Sequence, residues 1–105
     1  MFVLHYTAPS APPVNVHSST LTSSNIIIFW EPVECIHRNG DITGYIVKYA
    51  VKGSSERHNK TVSGGDNTQT TIGELEPLTE YEIAVAAVND VGTGPFSVIQ
   101  AKSTG

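Results

Sequence analysis

Two aromatic residues at the ends of alternating runs constrain this chain more than any other feature. Trp30 closes the run Ile26, Ile28, Trp30, and Tyr81 opens the run Tyr81, Ile83, Val85, Ala87. A period of two sends one row of side chains into a core and the other outward. Trp30, Tyr81, Ile83 and Val85 are therefore expected inside, while Ile27 and Phe29 are expected on the opposite face of their strand, where they form a small exposed apolar patch if that sheet is uncovered. Between the runs lies Leu75-Glu76-Pro77-Leu78-Thr79-Glu80-Tyr81, where a proline-containing turn delivers a tyrosine into the start of a strand. Its ring can pack while its hydroxyl bonds the backbone upstream, which is a tyrosine corner.

The remaining residues read as short strands separated by turns. Alternation supports strands at 14–18, 26–31, 42–51, 58–62, 68–72, 81–89 and 97–103, and no helix is expected. Asn39-Gly40, Gly53-Ser54, Gly64-Gly65-Asp66, Glu76-Pro77 and Gly92-Thr93-Gly94 mark turns between them. Tyr45, Val47 and Tyr49 share one face of the third strand. Tyr45 and Val47 thus join Leu75 in the expected core, with Tyr49 on the same inner face or at its rim. Short strands at this spacing predict an all-β antiparallel sandwich.

A chain of 105 residues is one domain, long enough to bury roughly 60 to 70 per cent of its unfolded surface. Cys35 is the sole cysteine, so no internal disulfide forms and the core alone must hold the fold. Net charge of -4 gives a nucleic-acid backbone or an anionic membrane no strong electrostatic reason to dock. No apolar stretch approaches the ~18 residues of a membrane span. Met1-Phe2-Val3-Leu4 lacks a basic leader, and its apolar run is shorter than the ~7 to 15 residues of a signal peptide. Residues 1–11 are expected to be a linker, in which Phe2 to Tyr6 are the last strand of a preceding domain or a vector-derived tail. The stretch Ala8-Pro9-Ser10-Ala11-Pro12-Pro13 has the composition of a semi-rigid extended spacer. Residues 12–105 form the domain proper.

Catalytic and metal readings find little support in these residues. Cys35 and His37 are close in sequence but have no third group to orient the imidazole as a base. As metal ligands they lack a second pair, since His5, His17 and His58 sit on separate segments. Gly92-Thr93-Gly94 imitates the front of a dinucleotide fingerprint, yet Ser97 takes the third glycine's place and no helix follows. Glu74, Glu76, Glu80 and Glu82 are spread along a corner and an outward strand row. Neither catalytic nor metal nor cofactor-binding residues are assigned. Asn59-Lys60-Thr61 is an N-glycosylation acceptor triplet. Arg57, His58 and Lys60, with Lys52 nearby, form a basic cluster whose charges on an edge strand would oppose strand-to-strand association.

Trp30, Gly44-Tyr45-Ile46-Val47-Lys48-Tyr49, the corner from Leu75 to Tyr81, Ala86-Ala87-Val88-Asn89 and Gly94-Pro95-Phe96-Ser97 occur in one order. Together they resemble a fibronectin type III domain over about residues 12–104. The resemblance implies a seven-stranded Greek-key sandwich of immunoglobulin-like form, with the first, second and fifth strands in one sheet and the other four in the second. It implies a non-catalytic protein-interaction and spacer module in the extracellular part of a cell-surface receptor or adhesion protein, receptor tyrosine phosphatases being one such class. Its partners would be a protein ligand or neighbouring domains of the same chain, and the isolated domain would be monomeric. Two alternatives stay open: a cytoplasmic muscle or scaffold protein, and an accessory domain of a carbohydrate-active enzyme. The Arg-Gly-Asp integrin motif of some members is absent, its loop reading Asn89-Asp90-Val91-Gly92-Thr93-Gly94. Ligand contacts are expected at the end of the sandwich where loops 32–41 and 89–95 meet, through Ile36, His37, Arg38, Asp90, Val91 and Thr93.

Overall fold

The computed structural model describes residues 7–105, so the strand or tail expected at Phe2 to Tyr6 lies outside the described residues. Seven strands form: β1 (Val14–Thr22), β2 (Asn25–Glu31), β3 (Gly44–Val51), β4 (His58–Ser63), β5 (Gln69–Ile72), β6 (Glu80–Val88) and β7 (Gln100–Ser103). They stack as a three-stranded sheet of order β1-β2-β5 and a four-stranded sheet of order β4-β3-β6-β7, all neighbours antiparallel. This is the expected partition of strands between the sheets.

Period-two burial explains how the sheets close. Along β2, Ile26, Ile28 and Trp30 are buried while the residues between them are half-covered. From the facing sheet, Tyr45, Val47, Tyr81, Ile83 and Val85 meet them, with Leu75 buried beneath the corner. Trp30 and Tyr45 touch across the interface at a ring-centroid distance of 5.1 Å and a tilt of 57°, a geometry favoured by aromatic quadrupoles. Tyr49 packs at the margin of this cluster. The hydroxyl of Tyr45 donates to the carbonyl of Gly65 at 2.8 Å. Burial raises the pKa of that phenol above its ordinary 10.0, with the Trp30 indole the leading influence in the opposite direction. The indole Nε1 is buried and reaches no partner within hydrogen-bond geometry among the described residues.

The tyrosine corner forms with its polarity set by the backbone: the amide of Glu76 donates to the Tyr81 hydroxyl at 2.8 Å. Thr104 completes it. Its Oγ1 donates to the Glu76 carbonyl at 2.6 Å and accepts from the Thr79 amide at 3.0 Å, which ties the chain's last residues beneath the turn.

Three expectations are corrected. A one-turn helix, α1 (Cys35–Arg38), stands where no helix was expected, too short to show a repeating apolar period. Phe29 and Ile27 do point away from the core, but that face is not bare: both are half-covered, and His17 of β1 stacks on Phe29 at 5.1 Å. The last strand begins at Gln100 instead of residue 97. Pro95 has no amide to donate, and Ser97 engages Val85 irregularly, its amide donating to the Val85 carbonyl at 2.8 Å while its Oγ accepts from the Val85 amide at 3.0 Å.

Candidate functional site

The loop between β2 and β3 is anchored by Val33, which is fully buried. Beyond it the amide of His37 donates to the Glu34 carbonyl at 2.9 Å, closing the single turn of α1. Asn39 then ends the turn in the left-handed region, at φ 54 and ψ 38. Asparagine is among the few L-residues that enter this region readily. The side chain of Arg38 folds back, its Nε donating to the Val33 carbonyl at 2.8 Å. Cys35 and Ile36 stay exposed on the outer side of the turn.

Asn89, at the end of β6, joins this loop to two other segments. It is buried, at 4% exposure, and a buried amide needs partners at both ends. Its Nδ2 lies 2.9 Å from the Thr7 carbonyl and 3.1 Å from the carbonyls of both Arg38 and Asn39. Its Oδ1 accepts from the amides of Val91 and Gly92 at 2.9 and 3.2 Å. One side chain thus fixes the 89–94 turn, the end of α1 and the segment entering the domain.

That entering segment is docked along its length. Asn39 Nδ2 donates to the Ala8 carbonyl at 3.0 Å, and the Ser10 amide donates to the His37 carbonyl at 2.8 Å. Ser10 Oγ also meets His37 Nδ1 at 3.2 Å. Pro9 is buried. A Cβ added to Gly94 would lie 2.7 Å from the Pro9 carbonyl oxygen, so this glycine is required by close approach of the two backbones.

The residues singled out from sequence accordingly divide into groups. The backbones of His37 and Arg38 are brought against the entering segment and the 89–94 turn, and their side chains are half-buried in internal bonds. Ile36 is 78% exposed, and Asp90, Val91 and Thr93 are exposed on the neighbouring turn. Asp41, Asp90, Val91 and Asn39 line a polar cleft of about 180 Å³ between the two loops. Asn89, Asn39, Ser10 and Gly94 were not singled out as site residues. Asn89 was read only as the end of the sixth strand and part of the resemblance motif Ala86-Ala87-Val88-Asn89, and its docking role depends on segments far away in sequence. Among the described residues, no three His, Cys, Asp or Glu side chains converge in a metal-binding group, and no helix is long and apolar enough to cross a membrane.

The basic residues do not form one patch. Lys52 pairs with Glu80 at 3.5 Å, Arg57 bonds the Ser54 carbonyl at 3.2 Å, and His58 stacks on Tyr49 at 5.4 Å. Lys60 crosses the open side of the sandwich, its Nζ donating to the Thr71 carbonyl at 2.5 Å.

A two-sheet sandwich with this strand order, a tyrosine corner and a tryptophan between the sheets defines an immunoglobulin-like β-sandwich module. The fibronectin type III domain model matches residues 10–101, and the chain belongs to that family. It is 42% identical over 92 residues to receptor-type tyrosine-protein phosphatase F of Danio rerio, covering 86% of this chain and 5% of that protein. To protein sidekick-2 of Mus musculus it is 38% identical over 90 residues, covering 85% of this chain and 4% of that protein. The chain therefore spans about one-twentieth of the length of these relatives. Among solved structures, the third fibronectin III domain of the human KIAA0343 protein superposes with a TM-score of 0.86 at 28% identity, covering 94% of this chain and 85% of that one. The fn3 domain of human contactin 1 does so with a TM-score of 0.81 at 29% identity, covering 93% and 80%.

Proposed function

We propose that this chain is a non-catalytic protein-interaction and spacer module of an extracellular receptor or cell-adhesion protein. The observation that carries the reading is the docked entry. Asn89, Asn39, His37 and Gly94 hold residues 7–10 against the loop end of the sandwich. A segment bonded along its length transmits orientation, which a spacer needs and a flexible tether does not provide. Similarity to a receptor-type phosphatase supports the receptor setting. The same packing leaves Ile36, Asp90, Val91 and Thr93 outward, so a protein partner meets the side of this end that the entering segment does not cover.

The test has a structural arm and a binding arm. Asn89→Ala should speed hydrogen exchange at the Ser10 amide and raise the picosecond-to-nanosecond mobility of residues 7–10 in nitrogen-15 relaxation. Unchanged order in this segment would remove the spacer argument. For binding, the bead-displayed chain is presented to a panel of secreted receptor ectodomains and to itself, beside a variant with Ile36, His37 and Arg38 changed to serine. A capture lost in the variant at unchanged stability supports the loop site, and equal capture places the site elsewhere.

A further inference from the structure

We propose that Asn59 is an N-linked glycan acceptor, and that its glycan covers the outer face of the four-stranded sheet beside Lys48. The inference rests on the extracellular setting proposed above. The triplet Asn59-Lys60-Thr61 lies within β4, the edge strand of its sheet, so one flank has no neighbouring strand. Register decides which way each member points. Val62 opposes Tyr45 on the core side, which by alternation turns Thr61 outward, Lys60 inward and Asn59 outward. Lys60 confirms this alternation, because its ammonium reaches the Thr71 carbonyl of the other sheet at 2.5 Å. The charged middle residue is thereby drawn away from the acceptor face. Asn59 and Thr61 are both exposed, so a glycan attached as the extended chain enters the secretory pathway has an open route to solvent once the domain folds.

The same register says what the glycan covers. Asn59 opposes Lys48 and Thr61 opposes Ile46; directly opposed Cβ atoms on antiparallel strands lie about 4.5–5.5 Å apart. The first sugar residues consequently stand beside the Lys48 stem, whose ammonium sits 4.3 Å from the centre of the Phe96 ring. Ile46, Lys48 and Phe96 are half-covered and form the apolar part of this face. With the glycan in place, this face and the β4 edge are closed to protein partners, and the loop end stays open.

The full chain is secreted from mammalian cells behind an appended signal peptide. Expected is a mobility shift removed by peptide-N-glycosidase F, with the glycan mapped to Asn59 by mass spectrometry. Asn59→Gln and Thr61→Ala should each abolish it while leaving the circular-dichroism spectrum unchanged. A folded, secreted, unglycosylated wild type overturns the acceptor assignment. The appended signal forces entry to the secretory pathway whatever the parent protein's compartment, so this result is separate from the extracellular reading, which the location of the tagged parent protein tests. The face assignment has its own readout: Lys48 acylation should be slower in the glycosylated chain than in Asn59→Gln, and equal rates would overturn it.

Discussion

The Tyr81 hydroxyl accepts the Glu76 amide, and Thr104 satisfies the carbonyl of that same residue, so both backbone polar groups of Glu76, on two successive peptide units, are bonded at the corner. Tyr81→Phe keeps the ring but leaves a partly buried amide donor unpaired, which costs about 1 to 3 kcal/mol. The corner motif had located this bond, though not its direction: the orphan left by the substitution is a donor. A lowered denaturant midpoint with unchanged slope is the expected result, and equal midpoints would mean that water replaces the hydroxyl. Tyr45 supplies a pH dependence. Burial raises its phenol above 10.0 in the folded chain, so the folded state keeps a proton that the unfolded chain loses. The associated stability is full below the unfolded value and falls as pH rises from there through the folded value. Unfolding midpoints measured from about pH 8 to about pH 11 should decline more steeply in wild type than in Tyr45→Phe.

At the scale of elements, the strands were legible and α1 was not. Runs such as Ile26, Ile28, Trp30 repeat often enough to declare a period, whereas the four residues of α1 complete barely one turn. The helix is held by the carbonyls and amides that surround it, including the Ser10 amide on His37 and the Asn89 amide on Arg38. Gly94 links the 89–94 turn to the entering segment. Gly94→Ala places a methyl group 2.9 Å from Pro9 Cβ as well as against its carbonyl, and overpacking of this kind costs about 1 to 3 kcal/mol. Because the clash falls on Pro9, its expected signature is local: faster hydrogen exchange at Ser10 with exchange in β3 and β6 nearly unchanged. Exchange altered uniformly through the sandwich would show that the docked segment is not a separate unit.

As a whole molecule the domain stands on one apolar cluster between two sheets, with an exposed thiol and no disulfide. Trp30, 3% exposed and in contact with Tyr45, spans that cluster. Trp30→Ala should cost about 3 to 5 kcal/mol, against the ~5 to 15 kcal/mol that stabilises an ordinary domain. Circular dichroism and tyrosine fluorescence should report one coincident, weakened transition, and an unchanged midpoint would remove Trp30 from the core. The alternating strands, their inward rows and the tyrosine corner could be read from the residues alone, since they follow from sterics acting over a few neighbouring residues. The same period did not say whether Phe29 is covered, because the stacking of His17 across the β1–β2 register is not a local property. That Asn89 meets Thr7 and Arg38, partners 82 and 51 residues away, emerges once the sheets are stacked. An asparagine after a strand carries one local signal whether it caps its own turn or binds three segments, and stacking of the sheets determines which carbonyls come within reach.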